Sequence, residues 1–243
     1  MPQVTENITF IPGQDDFIPD SHVYVLGPKN SHDLTLVDAG LMGKGAYKLA
    51  SLREEGYRIE DIKRVIMTHT HLDHLGCLAE LREQLPGLEV WIHEEEARPL
   101  EQGDERTVYG MEAFRSMCQA QFHLKPGAFS FPIARKLRGG EKLTLGGLTW
   151  EVLHIPGHSL GSIALYDPEG KVLIPGDVVY ADFAIGRFDL HGARGATLRD
   201  SLLQLAEQEV KILLPGHNRI VTDLKPGYIR STLKEWEPYL TAA

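Results

Sequence analysis

Three histidines and an aspartate fall within six positions of the stretch THTHLDHLG (residues 68–76): His69, His71, Asp73 and His74. Imidazole nitrogen and carboxylate oxygen are the donors that bind divalent cations, and their spacing here carries geometric meaning. On an extended segment residues 69, 71 and 73 share one face, whereas on a helix residues two apart point nearly opposite ways. An extended stretch leaving the apolar run Val65–Met67 therefore presents His69, His71 and Asp73 together. His74 follows at the start of a helix, aimed at a neighbouring point. The arrangement suits two metal ions side by side better than one. Asp73 alone would be an ordinary cap for a helix over 74–84. Four titratable groups left unpaired at the end of a buried strand would, however, be costly.

Three later segments share one grammar: an apolar run, a Pro-Gly turn and a metal-competent side chain. They are VLHIPGHSLGSIAL with His158, KVLIPGDVVY with Asp177 and KILLPGHNRIV with His217. Each ligand candidate stands directly after a β-type run, where loops at strand ends build active sites.

The elements that must position these residues follow from periodicity and turn signals. Strands are predicted at Ile8–Ile11, His22–Leu26 and Leu34–Asp38, with turns at PGQDD and GPKNSHD between them. A helix ending near Gly56, strand Arg64–Thr68, helix His74–Gln84 and strand Glu89–His93 come next. A helical stretch follows to about Ala120. Strands return at Lys142–Leu145, Leu148–Ile155, Ser162–Tyr166 and Lys171–Pro175, then helix Thr197–Gln208, strand Lys211–Leu214 and a closing helix from about Pro226. Two strand-rich blocks, each followed by helices, predict an α/β chain folded as a four-layer αβ/βα sandwich. No repeat, low-complexity tract or linker divides it, so residues 1–243 are expected to form a single domain.

The ordered set His69-x-His71-x-Asp73-His74, His158, Asp177 and His217 resembles the metallo-β-lactamase superfamily of hydrolases. The resemblance runs from LVDAG (36–40) to PGHN (215–218). It implies that His69, His71 and His158 hold a first metal, that Asp73, His74 and His217 hold a second, and that Asp177 bridges both. It also implies the αβ/βα sandwich. Asp38 resembles the family's buried aspartate behind the ligands, with a turn-forming residue as the alternative. The expected cofactors are two divalent metal ions per chain, zinc foremost, with iron or manganese suited to the same donors. Such a pair, about 3.5–4 Å apart, shares a bridging water, lowers its pKa and delivers hydroxide to a carbonyl carbon. Asp73 is placed to hydrogen-bond that nucleophile or carry its proton.

Composition narrows the partners. The 243 residues carry a formal charge of −9 and 42% hydrophobic content. An acidic surface disfavours nucleic acid, which needs a basic face. No apolar run reaches the roughly 20 residues of a membrane span, and the N-terminus lacks signal-peptide features. A soluble, cytoplasmic protein acting on a small molecule is expected. Cys77 and Cys118 are read as reduced, buried thiols.

Within the resembled superfamily, β-lactamases generally have Cys or no ligand where Asp177 stands, which points away from antibiotics. Nucleic-acid-processing members carry extra domains or a basic exosite. GDVVYADFAIGRFDLHGARGATLRDSLLQL looks like the glyoxalase II group, a thioester hydrolase family. Its glutathione-gripping helical domain has no counterpart in the 26 residues after His217, whose cations are Arg219, Lys225, Arg230 and Lys234. Acyl-homoserine lactone lactonases resemble the chain in length and in a tyrosine three positions after the bridging aspartate, here Tyr180. Its phenol either donates to the developing oxyanion or packs in the core. A lactone is thus expected ahead of a thioester. A mononuclear iron persulfide dioxygenase and a non-catalytic metal-binding protein are the remaining alternatives. Tyr109, Met111, Phe114, Met117 and Phe122 form an apolar stripe within 94–131, read as core, as a cover over the pocket or as a homodimer contact. Arg187 and Asp189 either pair or flank the pocket mouth.

Overall fold

The computed structural model describes residues 3–14, 17–125 and 127–240. Asp15 and Asp16 of the expected PGQDD turn, and Pro126 within 94–131, lie outside the described residues. The chain opens with strands β1 (Gln3–Thr5), β2 (Ile8–Ile11), β3 (Val23–Leu26) and β4 (Leu34–Val37), then helix α1 (Gly45–Glu54) and strand β5 (Ile62–Ile66). Helices α2 (Leu72–Leu75) and α3 (Leu78–Gln84) lead to β6 (Glu89–His93). Helices α4 (Glu94–Glu101), α5 (Arg106–Tyr109) and α6 (Glu112–Phe122) precede β7 (Arg135–Leu137). The second half holds β8 (Lys142–Leu145), β9 (Leu148–His154), β10 (Ile163–Asp167), β11 (Val172–Ile174), α7 (Gly195–Ala206), β12 (Ile212–Leu213) and α8 (Tyr228–Leu240).

Two sheets result. The first runs β1-β2-β3-β4-β5-β6-β7, antiparallel up to β4 and parallel from β4 to β7. The second runs β12-β11-β10-β9-β8, with only the β11–β12 pair parallel. Side chains alternate faces along each strand, and both faces of the central strands are buried. In β3, Val23 and Val25 face the helices of the first half while Tyr24 and Leu26 face the other sheet. In β10, Ile163 and Leu165 face the first sheet while Ala164 and Tyr166 pack against α7 and α8 residues such as Leu198, Leu202 and Leu233. Three apolar interfaces separate four layers, which is the predicted αβ/βα sandwich. Among the described residues no helix is long and apolar enough to cross a membrane.

The expected strands appear within a few residues of their predicted bounds. β1 and β7 were not anticipated, being three-residue edge strands with too little sequence for a periodic signal. The helix expected at His74–Gln84 starts two residues earlier and breaks at 76–77. Its carbonyls are claimed by neighbouring loops: Ser21 N–H donates to Asp73 O (3.1 Å), and Ala39 and Gly40 N–H both donate to His74 O (2.9 Å each). Cys77 N–H then turns to Gly40 O (2.9 Å). The break fixes the backbone of two site candidates against adjacent strand ends. Asp73 therefore sits inside α2 rather than capping it; His71 is the N-cap residue.

Candidate metal centre

All seven predicted ligand candidates converge where the strands of the two sheets end. His69, His71 and His158 form one group, and Asp73, His74, Asp177 and His217 a second; within each, the nearest donor atoms lie within 4.8 Å of one another. The loops are stitched across the sheets: Ile163 N–H donates to Thr68 O (2.8 Å), His22 N–H to Gly216 O (2.8 Å), and the Tyr24 hydroxyl to Pro215 O (2.6 Å). The Pro-Gly grammar has a steric reason. A side chain at Gly216 would overlap the Asp177 carboxylate, and one at Gly176, whose φ is +54°, would sit 2.6 Å from the Thr68 hydroxyl.

In the first group the three rings stand edge-on to one another, with centroids 4.6–4.8 Å apart. Two of them, His158 and His69, are anchored from behind through Nδ1. His158 Nδ1–H donates to Arg187 O (2.7 Å), and His69 Nδ1–H to the Thr68 hydroxyl (3.1 Å), which itself donates to Asp38 Oδ2 (2.8 Å). This network assigns the proton of His69 and His158 to Nδ1 and leaves their Nε2 as a bare lone pair. Nε2 of His69, His71 and His158 are all buried and find no hydrogen-bond partner among the described residues. Burial, with the neighbouring imidazoles, holds His69 well below the usual histidine range and His71 at about 3; burial also lowers His158. Three neutral imidazoles that come together and each carry an orphaned buried nitrogen are what a cation fits and what a dry apolar site does not tolerate.

The second group has the opposite character. His217 Nε2 lies 3.0 Å from Asp73 Oδ2, 3.4 Å from Asp177 Oδ2 and 3.3 Å from His74 Nε2, and His74 Nε2 lies 3.2 Å from Asp177 Oδ1. Burial disfavours charge on His74, but the carboxylates of Asp177, Asp38 and Asp73 outweigh it and hold the imidazole well above its ordinary value. The same balance pushes His217 up to about 10. Burial raises Asp177, yet His217 and His74 pull it well below the carboxylate range, and Asp73 is lowered likewise. Asp38 accepts the Thr68 N–H (2.7 Å) and the His74 Nδ1–H (2.9 Å), so it stands behind a ligand candidate in each group. The groups abut: the His69 and His74 ring centroids are 4.0 Å apart, and Asp177 Oδ2 lies 3.8 Å from His158 Nε2.

A cleft of about 420 Å³ opens onto both groups. Tyr180 lines it, buried, and burial plus the charge of the nearby Asp177 carboxylate push the phenol well above its usual value. Apolar walls come from Ile18, Val108, Met111, Phe114 and Leu190. Arg187 also lines the cleft and is paired with Asp189 (2.7 and 2.9 Å), so the pairing foreseen for the two is present and, of them, Arg187 lines the cleft. Of the apolar stripe, Tyr109, Met111 and Phe114 reach the cleft, while Met117 and Phe122 pack on the first core. Sequence reasoning missed Thr68 and the Arg187 carbonyl behind the imidazoles. A threonine beside a ligand and a backbone carbonyl carry no compositional signal.

Comparison with known proteins agrees with this geometry. Residues 19–217 match the profile of the family described as the Metallo-beta-lactamase superfamily. The hydroxyacylglutathione hydrolase GloC of Haemophilus influenzae is 33% identical over 175 residues, covering 68% of this chain and 74% of that protein. The probable metallo-hydrolase YqgX of Bacillus subtilis is 28% identical over 176 residues, covering 72% and 74%. Among solved structures, TTHA1623 in a di-iron-bound form superposes with a TM-score of 0.67 at 26% identity, covering 91% of this chain and 96% of that one.

Proposed function

The chain belongs to the metallo-beta-lactamase superfamily, and from that premise we propose that it is a dinuclear metal-dependent hydrolase that opens an ester-type carbonyl, with a lactone as the preferred substrate. The observation that carries this reading is the pair of abutting donor groups, three orphaned imidazole nitrogens on one side and an Asp/His cluster on the other, joined by Asp177. His69, His71 and His158 would hold one ion, Asp73, His74 and His217 the other, and Asp177 both. When bound, such ions supply Lewis acidity at the carbonyl oxygen and a water acidic enough to attack at neutral pH.

The chain's own residues do the rest. Asp73 keeps a second carboxylate oxygen free to orient the attacking water and carry its proton towards the leaving group. Tyr180, with its phenol on the cleft wall, donates a hydrogen bond as negative charge develops on the substrate oxygen. Ile18, Val108, Met111, Phe114 and Leu190 exclude water and receive an apolar arm. Residues 1–243 act in this reading as one domain whose 94–131 segment covers the pocket.

A glyoxalase II-like thioester hydrolase is the second reading, favoured by the similarity to GloC. Arg187 is the only Lys or Arg among the described lining residues, and Asp189 already neutralises it. That wall suits an uncharged acyl lactone better than the anionic glutathione moiety. Parallel assays of one metal-loaded preparation against an acyl lactone and a glutathione thioester decide between them. Lactone opening is expected to dominate; thioester preference would transfer the activity to the second reading.

A further inference from the structure

One buried carboxylate plays no part in the chemistry above. Glu96, in the first turn of α4, is 1% exposed. No ion pair among the described residues involves it, and its two oxygens are taken by two donors from different loops. Oε2 accepts the hydroxyl of Thr70, and Oε1 accepts the Gly161 N–H at 2.8 Å. Thr70 stands between His69 and His71, fully buried. On that extended segment its side chain points away from the face the two histidines share. Gly161 lies three residues after His158, in a turn closed by the Ser159 and Ser162 hydroxyls (2.8 Å). The turn packs so closely on Glu96 that a side chain at Gly161 would meet Glu96 Cγ at 2.5 Å.

The geometry points to Glu96 as a positioning residue: through Thr70 and Gly161 it clamps together the two loops that carry His69, His71 and His158, and so sets the spacing of the three-histidine half. This inference rests on the reading of that half as a metal site. The platform is rigid, because α4 follows β6 directly, with His93 capping its start through the Glu95 N–H (3.3 Å). Burying a carboxylate without a cation is expensive, and the two donors together with the helix N-terminus make it tolerable here. Among the described residues no comparable link ties Glu96 to His74, Asp177 or His217, so its influence should be confined to one half of the centre.

The test is Zn²⁺ titration of the metal-free full chain against a chromogenic chelator, which resolves two affinities. Glu96→Ala is expected to weaken, by about 10- to 100-fold, the affinity that His71→Ala abolishes, while leaving the one that His217→Ala abolishes unchanged. Glu96→Gln should restore it, since its amide accepts from Gly161 and donates to the Thr70 oxygen. Thr70→Val removes only a hydroxyl at nearly constant volume, and should weaken the same affinity even if Glu96→Ala fails to fold. Equal losses in both affinities, or no change in either, would reduce Glu96 to a general fold contact and overturn the inference. Wild-type protein that binds no zinc would overturn the metal centre itself, and the positioning role with it.

Discussion

The two halves of the centre meet over a few ångströms yet hold their histidines in opposite electrical states. Around His69, His71 and His158 burial dominates and the rings are neutral, and in His69 and His158 the Nδ1 protons are directed outward so that Nε2 is left as a bare lone pair. Around His74 and His217 three carboxylates dominate, and the imidazoles are held as cations when nothing else is bound. One half offers the lone pairs of neutral imidazoles; in the other, the carboxylates favour protonated imidazoles. A cation entering the first therefore displaces little, whereas a cation entering the second must expel protons.

The largest effect should come from the residue that joins the halves. Asp177→Asn is expected to abolish turnover and weaken both metal affinities with the protein still folded, while His158→Ala abolishes turnover but disturbs only the first. Near-normal rates in either variant at saturating Zn²⁺ would break the comparison. Tyr180 belongs to the carboxylate side, and Tyr180→Phe is expected to lower kcat on a lactone by about tenfold to a thousandfold. An unchanged kcat would return Tyr180 to packing.

The halves should also separate by pH. His217, raised to about 10, is protonated at neutrality in the metal-free chain, so the second affinity should climb as pH rises from about 7 to 9. The first, resting on His71 at about 3, should be flat over that interval. Parallel slopes in zinc titrations across pH would contradict the division. Linkage adds the matching stability trend: a folded-state value above the unfolded one stabilises fully below about 6.5, and the benefit is lost as pH rises towards 10.

The smallest expected effect lies outside the centre. His93 is lowered to about 4 by burial and by His154, stacked 4.0 Å away. A depressed value means the unfolded chain binds the extra proton, so stability falls as pH drops from about 6.5 to 4. His93→Asn keeps an acceptor for the Glu95 N–H, removes the titration, and should make that acid limb shallower in thermal unfolding.

The clustering of the candidate donors was legible in sequence because they are local: HxHxDH declares itself within six residues, and each Pro-Gly turn follows its own strand. The two-sheet architecture was legible for the same reason, in the apolar runs of β2 to β6 and β8 to β11. What could not be read depends on partners distant in the chain. The break between α2 and α3 arises because loops at 21 and 39–40 take the carbonyls of Asp73 and His74. Glu96 is one of three consecutive glutamates in HEEEARPL, and only the fold singles it out by burial. The short edge strands β1 and β7 pair with neighbours but carry no period of their own.

The central claim is that two adjoining donor groups hold two ions in one chain. Its most direct test is elemental analysis of the metal-free protein reloaded with Zn²⁺ and desalted. Two zinc ions per chain are predicted. One ion per chain, or none, would contradict the dinuclear account.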